Sequence, residues 1–142
     1  MNNDMQPTRV LFLCTHNSAR SQMAEGLLRE LGGDQFEVFS AGTIATRVRP
    51  EAIAAMRELG INITSQSSKT LDQYLHAPLD EVITVCDQAN DSCPVFPGHV
   101  QRRHWSIADP SSVQGSDEER LAAFRVARDD LRQRIEGELL TR

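Results

Sequence analysis

The chain has 142 residues, a length typical of one domain that closes its own core without metal or disulfide cross-links. Twenty Asp and Glu outnumber fifteen Lys and Arg, and the net charge of −5 argues against a nucleic-acid or anionic-membrane partner. No apolar run approaches the roughly 20 residues of a membrane span, and the polar segment 1–8 lacks the features of a signal peptide. We therefore expect a cytoplasmic single domain over residues 1–142 that is flexible in its first eight residues.

The apolar pattern alternates between strands and helices along the chain. In its first half it predicts a strand at 9–13, a helix at 21–31, a strand at 36–40 and a helix from Pro50 to Gly60. It then predicts a short helix at 71–75, a buried strand at 81–86, a long loop at 87–103, a strand near 103–105, and a helix from a Ser116–Glu119 capping box to about Leu140. This alternation indicates an α/β fold, in which helices flank both faces of a central, mostly parallel four-stranded sheet.

The strongest functional signal is the segment CTHNSARS, which lies between the first strand and the first helix. Its Cys-x5-Arg spacing lets backbone N–H groups wrap one tetrahedral oxyanion above the positive end of the helix. Arg20 offers a guanidinium fork for two oxygens, and the same field is expected to lower the pKa of Cys14 and make it a nucleophilic thiolate. Ser21 can donate to that sulfur and Asn17 can hold the loop in shape. We predict that the oxyanion is bound by Cys14, Thr15, His16, Asn17, Ser18, Ala19, Arg20 and Ser21.

Asp109 is the candidate proton donor. Pro110 keeps Asp109 out of helical geometry, which can present its carboxyl to a leaving oxygen. An ordinary Asp-Pro turn is the alternative, and we favour the acid because the Cys14 loop needs one. A buried thiol that merely ends a strand is likewise the alternative for Cys14, and its place between a strand and a helix makes the oxyanion loop the better interpretation.

The other two cysteines, Cys86 and Cys93, are seven residues apart. Cys14 and Cys86 both end predicted parallel strands, where functional residues of such sheets gather. Three thiols permit a relay in which each sulfur attacks the one before it. Zinc held by Cys86, Cys93, His99 and His104 is an alternative with poor ligand spacing, and an inert Cys86 is another. The odd cysteine count does not fit a secreted disulfide framework.

These segments together resemble the thioredoxin-coupled arsenate reductases, which share the low-molecular-weight tyrosine phosphatase fold. The resemblance spans nearly the whole chain and is carried by VLFLCTHNSARSQMAEG, FSAGT, RPEAIAAMRELGINI, VITVCDQANDSCPVFPG and HWSIADP. It implies arsenic detoxification: Cys14 attacks arsenate while Asp109 helps water leave, and Cys86 then attacks Cys14 and releases arsenite. It further implies that Cys93 attacks Cys86 and that thioredoxin reduces the resulting Cys86–Cys93 disulfide.

One departure from the family concerns a cation. Some members bind potassium beside the loop, through residues that match Asn17, Glu25, Ser40 and an acid, and the acid position here is Lys69. An ammonium can take the place of a cation. We therefore expect no potassium requirement. We also expect a monomer with no tightly bound cofactor.

Two other functions stay open. The first is a phosphatase on the same fold, since arsenate and phosphate are nearly isosteric. Tyrosine phosphatases of this fold carry aromatic residues after the Asp-Pro pair, whereas this chain has Ser111 and Ser112, and Tyr74 is its only tyrosine. We therefore expect at most a weak phosphatase activity. The second is a thiol redox sensor or oxyanion-binding module without turnover.

Overall fold

The computed structural model describes residues 6–140. Strands and helices alternate along these residues. The strands are β1 (Thr8–Cys14), β2 (Phe36–Gly42), β3 (Glu81–Thr84) and β4 (Gln101–His104), and the α-helices are α1 (Arg20–Gly32), α2 (Pro50–Arg57), α3 (Asp87–Asp91) and α4 (Asp117–Arg134). Single turns of 3-10 helix lie at Gly33–Gln35, Leu71–Tyr74 and Pro110–Ser112, and a π-helical turn at Ile135–Leu139 extends α4. None of the helices in this part of the chain is long and apolar enough to cross a membrane.

The four strands form one parallel sheet in the order β2-β1-β3-β4. The step from β1 to β2 runs in the opposite direction along the sheet to the step from β3 to β4. Because crossovers between parallel strands are right-handed, α1 and α3 lie on opposite faces. The carboxyl ends of β1 and β3 are neighbours, with Leu13 beside Thr84, so the residues that follow them share one edge of the sheet. The predicted α/β fold is therefore confirmed.

The core lies on both faces of β1, whose residues from Val10 to Cys14 are all buried. On one face the Phe12 ring packs against the Trp105 ring, with centroids 6.0 Å apart. Trp105, which is 2% exposed, is thus a core residue as the sequence predicts. The predicted Ser116–Glu119 capping box is also present at the start of α4.

Two sequence predictions about the segment after β3 are wrong. Residues 87–103 are not one loop, because they contain α3 and the start of β4, and β3 ends at Thr84 rather than at Cys86. Only Ala89 is buried in α3, and β4 (QRRH) has no buried residue, so neither shows the apolar period of its class. Of the terminal segment predicted to be flexible, residues 1–5 lie outside the described residues and Thr8 begins β1.

Candidate active site

The predicted oxyanion loop runs from the last residue of β1 to the first residues of α1. Each carbonyl of residues 15–19 accepts a hydrogen bond at 2.9–3.2 Å. The donors are the N–H groups of Met23, Ile44 and Arg49, the hydroxyls of Thr43, Thr46 and Ser68, and the Gln22 amide. By contrast, no N–H of residues 16–19 donates a hydrogen bond within residues 6–140. The loop is therefore held by its carbonyls and keeps its N–H groups for an anion.

Asn17 fixes the turn of this loop. Among the described residues other than glycine it is the one with positive φ, 49°, and it is fully buried; asparagine tolerates this left-handed region better than most residues. Its Nδ2 donates to Ser21 Oγ at 2.8 Å and to Ser40 Oγ at 3.0 Å. The Ser21 oxygen is thus an acceptor here, which leaves its own proton for another partner. No hydrogen bond joins Ser21 to the Cys14 sulfur in the described structure, and the proposed support of the thiolate stays a prediction.

Gly42, at the end of β2, lets the loop approach the sheet. A Cβ at this position would lie 2.7 Å from the Thr15 oxygen, 2.8 Å from the Asn17 nitrogen and 2.8 Å from the Ile44 oxygen. These are backbone atoms and cannot move aside as a side chain would. The packing role of Gly42 was missed from the sequence, although its occurrence in FSAGT, at the end of a predicted strand, was the available signal.

Cys14 and Cys86 face each other at the base of the loop, and both are buried. The hydrogen bond from the Cys14 thiol, with those from Thr15 and the Ala89 N–H, lowers the pKa of Cys86 to about 5 against the effect of burial. The same Cys14–Cys86 hydrogen bond, and then burial, raises the pKa of Cys14, although the charge of Arg20 opposes this. The pair therefore carries one negative charge and one proton. The prediction that the loop lowers the pKa of Cys14 is wrong for this structure, because the Cys86 hydrogen bond and burial raise it.

Cys93 lies apart from this pair. It is half-buried, burial raises its pKa, and its thiol donates a 3.5 Å hydrogen bond to the Pro94 carbonyl. The whole of α3 separates Cys93 from Cys86. At the helical rise, seven residues correspond to about 10 Å between the two Cα atoms, whereas a disulfide requires less than about 7 Å. The three cysteines are free, and the structure brings only two of them together.

Arg20 and Asp109 are neighbours beside the loop. Arg20 Nη1 donates to the Ile107 carbonyl at 2.8 Å, and its Nη2 lies 3.7 Å from Asp109 Oδ2. Its Nε is buried and has no partner within the described residues, which is a donor that an oxyanion oxygen would satisfy. Burial raises the pKa of Asp109, but hydrogen bonds from Ser111 and the charges of Arg20 and Arg49 outweigh it and lower the pKa. Asp109 is therefore a carboxylate in this structure.

The residues of the expected cation position lie behind the loop. Ser40 Oγ donates to Glu25 Oε1 at 2.5 Å, and Arg29 Nη2 bridges to the other Glu25 oxygen at 2.6 Å. Lys69 Nζ lies 4.0 Å from Glu25 Oε1, and the Lys69 backbone N–H donates to Asn17 Oδ1 at 2.9 Å. Elsewhere, His104 bonds to Asp87 and Thr84, and no cluster of three potential metal ligands occurs among residues 6–140.

The chain belongs to the low molecular weight phosphotyrosine protein phosphatase family, whose sequence pattern it matches over residues 9–141. It is 48% identical over 126 residues to an arsenate reductase of Halalkalibacterium halodurans, covering 89% of this chain and 91% of the relative. A solved arsenate reductase in its oxidized state superposes with a TM-score of 0.81 and 32% identity over 94% of this chain and 98% of the other. A Corynebacterium glutamicum thioredoxin-dependent arsenate reductase superposes with a TM-score of 0.71 and 28% identity, over 96% of this chain and 64% of that one. The resemblance noted from the sequence is confirmed.

Proposed function

We propose that this chain is a cytoplasmic, monomeric arsenate reductase of arsenic detoxification that thioredoxin recycles. The observation that carries the proposal is the pair of facing thiols, Cys14 and Cys86, at the base of an oxyanion loop. Ester hydrolysis needs only the first thiol, whereas reduction needs a second thiol that forms a disulfide with the first. The similarity to arsenate reductases supports this choice, and the thioredoxin-dependent relative supports the partner.

In the first step the Cys14 proton moves along its hydrogen bond to Cys86, and the Cys14 thiolate attacks arsenic(V). An S–As bond forms and one arsenate oxygen leaves as water. Asp109 is ionised before substrate arrives, and the negative charge of the oxyanion raises its pKa. Asp109 can then take up a proton from solvent and deliver it to the leaving hydroxyl, so that water departs.

In the second step Cys86 attacks the Cys14 sulfur and returns its proton to the departing arsenite. The electron pair of the S–As bond stays on arsenic, which becomes arsenic(III), and the two sulfurs are oxidised to the Cys14–Cys86 disulfide. Cys93 then attacks Cys86 and releases Cys14. The dithiol of thioredoxin supplies two electrons to reduce the Cys86–Cys93 disulfide.

The exchange between Cys86 and Cys93 requires α3 to unwind. A folded α3 holds the two residues too far apart for a disulfide, so the segment between them must change its conformation in each cycle. The helix is suited to this, since it has five residues and buries only Ala89. Its unwinding also brings the disulfide towards the surface, where thioredoxin can reach it.

We further propose that the Lys69 ammonium replaces potassium. Its side chain is 19% exposed and lies beside Glu25, and burial, opposed by Glu25, lowers its pKa. We expect kcat/KM for arsenate to be the same within about 1.5-fold in KCl and NaCl. The two salts are compared at equal ionic strength, so that their screening of charges is the same. A strong potassium activation of the wild-type chain would contradict the replacement. Lys69→Met, which removes the ammonium, is expected to introduce such an activation.

Phosphatase activity is the second candidate, because the family is one of phosphatases and the loop itself does not distinguish arsenate from phosphate. The residues after Pro110 are Ser111 and Ser112, and both the hydroxyl and the N–H of Ser111 donate hydrogen bonds to Asp109. Neither packs against a phenyl ring as an aromatic residue would. We therefore propose that ester hydrolysis is a weak side activity of the Cys14 loop.

A coupled assay decides between the two. Thioredoxin, its reductase and NADPH are supplied, and NADPH loss is followed after arsenate is added; hydrolysis of p-nitrophenyl phosphate is followed separately. We expect NADPH loss that requires both Cys14 and Cys86, while ester hydrolysis requires Cys14 and survives Cys86→Ser. Rapid ester hydrolysis without arsenate-dependent NADPH loss would make the chain a phosphatase. Turnover with glutathione and glutaredoxin but not with thioredoxin would leave the reduction intact and refute the partner.

A further inference from the structure

A cavity of about 330 Å³ opens beside the oxyanion loop. It is lined by His16, Ser18, Arg47, Arg49, Asp109 and Ser111, among others. His16, Ser18 and Asp109 belong to the predicted site, whereas Arg47 and Arg49 lie on the segment between β2 and α2 and have no part in the reaction described above. The cavity therefore joins the reaction centre to two further cations.

The segment that carries the two arginines is tied to the loop on both sides. Thr46 donates from its hydroxyl to the His16 carbonyl at 3.2 Å and from its N–H to Ser68 Oγ at 2.8 Å. Beyond Arg47, the Arg49 N–H donates to the Ser18 carbonyl at 2.9 Å. The backbone that carries both arginines is thus anchored at the mouth of the site.

Neither guanidinium is neutralised by a neighbour. Most other arginines of the described chain form ion pairs, as Arg9, Arg29, Arg103 and Arg125 do. Arg47 and Arg49 form no ion pair within residues 6–140, and the nearest site carboxylate, Asp109, is directed to Arg20 at 3.7 Å. Arg49 is close enough to Asp109 for its charge to lower the pKa of that carboxyl. Two unpaired positive charges therefore face the cavity.

Because the whole molecule is negatively charged, two local cations would help it to capture an anion. With a net charge of −5 the chain repels a doubly negative arsenate at long range, so capture depends on the local field at the mouth. Arg20 is 12% exposed in its side chain and lies inside the site, where it can act only on an anion that has already arrived. The alternative is that Arg47 and Arg49 are solvated side chains without a function. Their replacement would then affect kcat/KM no more than replacement of an arginine elsewhere on the surface.

We propose that Arg47 and Arg49 form an outer subsite that captures tetrahedral oxyanion dianions by charge and passes them to the Cys14 loop. The capture of an anion does not depend on the chemistry that follows, whereas its effect on turnover rests on the proposed reduction. The two arginines are positioning residues, because they hold the anion before it reaches the reacting sulfur.

The test compares Arg47→Gln and Arg49→Gln with Arg57→Gln. Arg57 is exposed and has no ion pair in residues 6–140, and it lies at the far end of α2, about 12 Å along the helix axis from Arg49. All three variants lose one charge and keep most of the side-chain stem. We expect each mouth variant to lower kcat/KM for arsenate about three- to tenfold at low NaCl with kcat unchanged, as for the loss of local steering charge. The difference should vanish near 1 M NaCl, Arg57→Gln should behave as wild type, and Arg47→Lys and Arg49→Lys should restore the lost efficiency.

A second measurement does not require reduction. Inorganic phosphate is expected to protect the Cys14–Cys86 pair from iodoacetamide, with a half-protecting concentration raised about three- to tenfold in each mouth variant and unchanged in Arg57→Gln. The subsite is refuted if Arg57→Gln has the same effect as the mouth variants, if the loss persists in high salt, or if it falls on kcat. If the wild-type chain fails to reduce arsenate but phosphate protection still follows the two arginines, the proposed function fails and the subsite stands.

Discussion

The shared proton of Cys14 and Cys86 is the residue-scale feature on which the chemistry depends. In the proposed mechanism the proton moves from Cys14 to Cys86 before Cys14 attacks arsenic. The pair ionises as the pH rises through about 5, the lowered pKa of Cys86. Above that pH the site holds one thiolate throughout the physiological range.

Removing one member of the pair tests this account. In Cys14→Ala the largest cause of the lowered Cys86 pKa is gone, and we expect the pKa to rise from about 5 towards its ordinary value, near 8.5. In Cys86→Ala the cause that most raises the Cys14 pKa is gone, and Arg20 then favours a Cys14 thiolate. Ultraviolet absorbance of the thiolate, followed against pH, measures both. A Cys86 that still titrates near 5 in Cys14→Ala would show that the two thiols do not share a proton.

Gly42 gives a second residue-scale prediction. Gly42→Ala would place a Cβ within 2.8 Å of three backbone atoms of the loop and its neighbour, and we expect a loss of about 1–3 kcal/mol in unfolding free energy, as for overpacking. The displaced loop should also bind phosphate more weakly. Gly137→Ala is the control, since a Cβ there meets nothing within 4 Å. Equal phosphate affinity in Gly42→Ala and wild type would mean that the loop does not need this close approach.

The sequence predicted the loop, but it did not predict how Cys14 and Cys86 share the negative charge. The order of CTHNSARS between a strand and a helix is enough to identify Cys14 and Arg20 as partners of one anion. The competition from Cys86 depends on the distance between two strand ends, and the vacant Arg20 Nε depends on side-chain packing. A local sequence pattern encodes neither feature, so both could be recognised only in the folded structure.

At the scale of elements, the proposed relay depends on α3, whose unwinding we expect to limit the second exchange. It begins directly after Cys86 and ends two residues before Cys93. Its first residue, Asp87, accepts a 2.9 Å hydrogen bond from His104 Nε2 on β4, and the His104 bond, with one from Ser106, lowers the Asp87 pKa. This link ties the folded helix to the sheet. A carboxylate with a lowered pKa contributes fully above its ordinary pKa and loses its contribution as the pH falls through the lowered value.

Asp87→Asn should therefore accelerate the second exchange at neutral pH. We expect the Cys86–Cys93 disulfide to form about two- to fivefold faster after a single turnover, a change suited to the loss of one exposed hydrogen bond. Asp91→Asn, at the other end of the same helix, removes an equal charge and is the control. Acid quenching and mass spectrometry of the disulfides give the rates. An unchanged or slower exchange in Asp87→Asn would show that unwinding of α3 does not limit this step.

The short elements around Cys93 were also the ones the sequence did not reveal. The long, buried β1 and the capped α4 have the apolar period and the end signals that a pattern detects. The helix α3 is too short to show a period, and β4 is polar at the sheet edge. Marginal local structure is what a segment that changes conformation requires, so the weakest pattern occurs where the proposed relay needs motion.

For the whole molecule, the fold supplies two arrangements that no single element has. The parallel sheet brings the ends of β1 and β3 together, which joins Cys14 and Cys86 although 72 positions separate them in sequence. The end of β2 and the segment after it then place Gly42, Arg47 and Arg49 around the same edge. The alternation of strands and helices predicts the first arrangement in outline, because parallel strands share a carboxyl edge. The second depends on the path of an irregular segment, which alternation does not determine.

In the proposed mechanism, arsenic is reduced by two electrons from the Cys14–Cys86 pair before Cys93 acts. A single turnover of Cys93→Ser without thioredoxin tests this order of events, with arsenite and disulfides both quantified. We expect about one arsenite per chain, a Cys14–Cys86 disulfide that accumulates in the same amount, and no further turnover when thioredoxin is added. Arsenite formed while both thiols stay reduced, or continued cycling of Cys93→Ser at the wild-type rate, would contradict it.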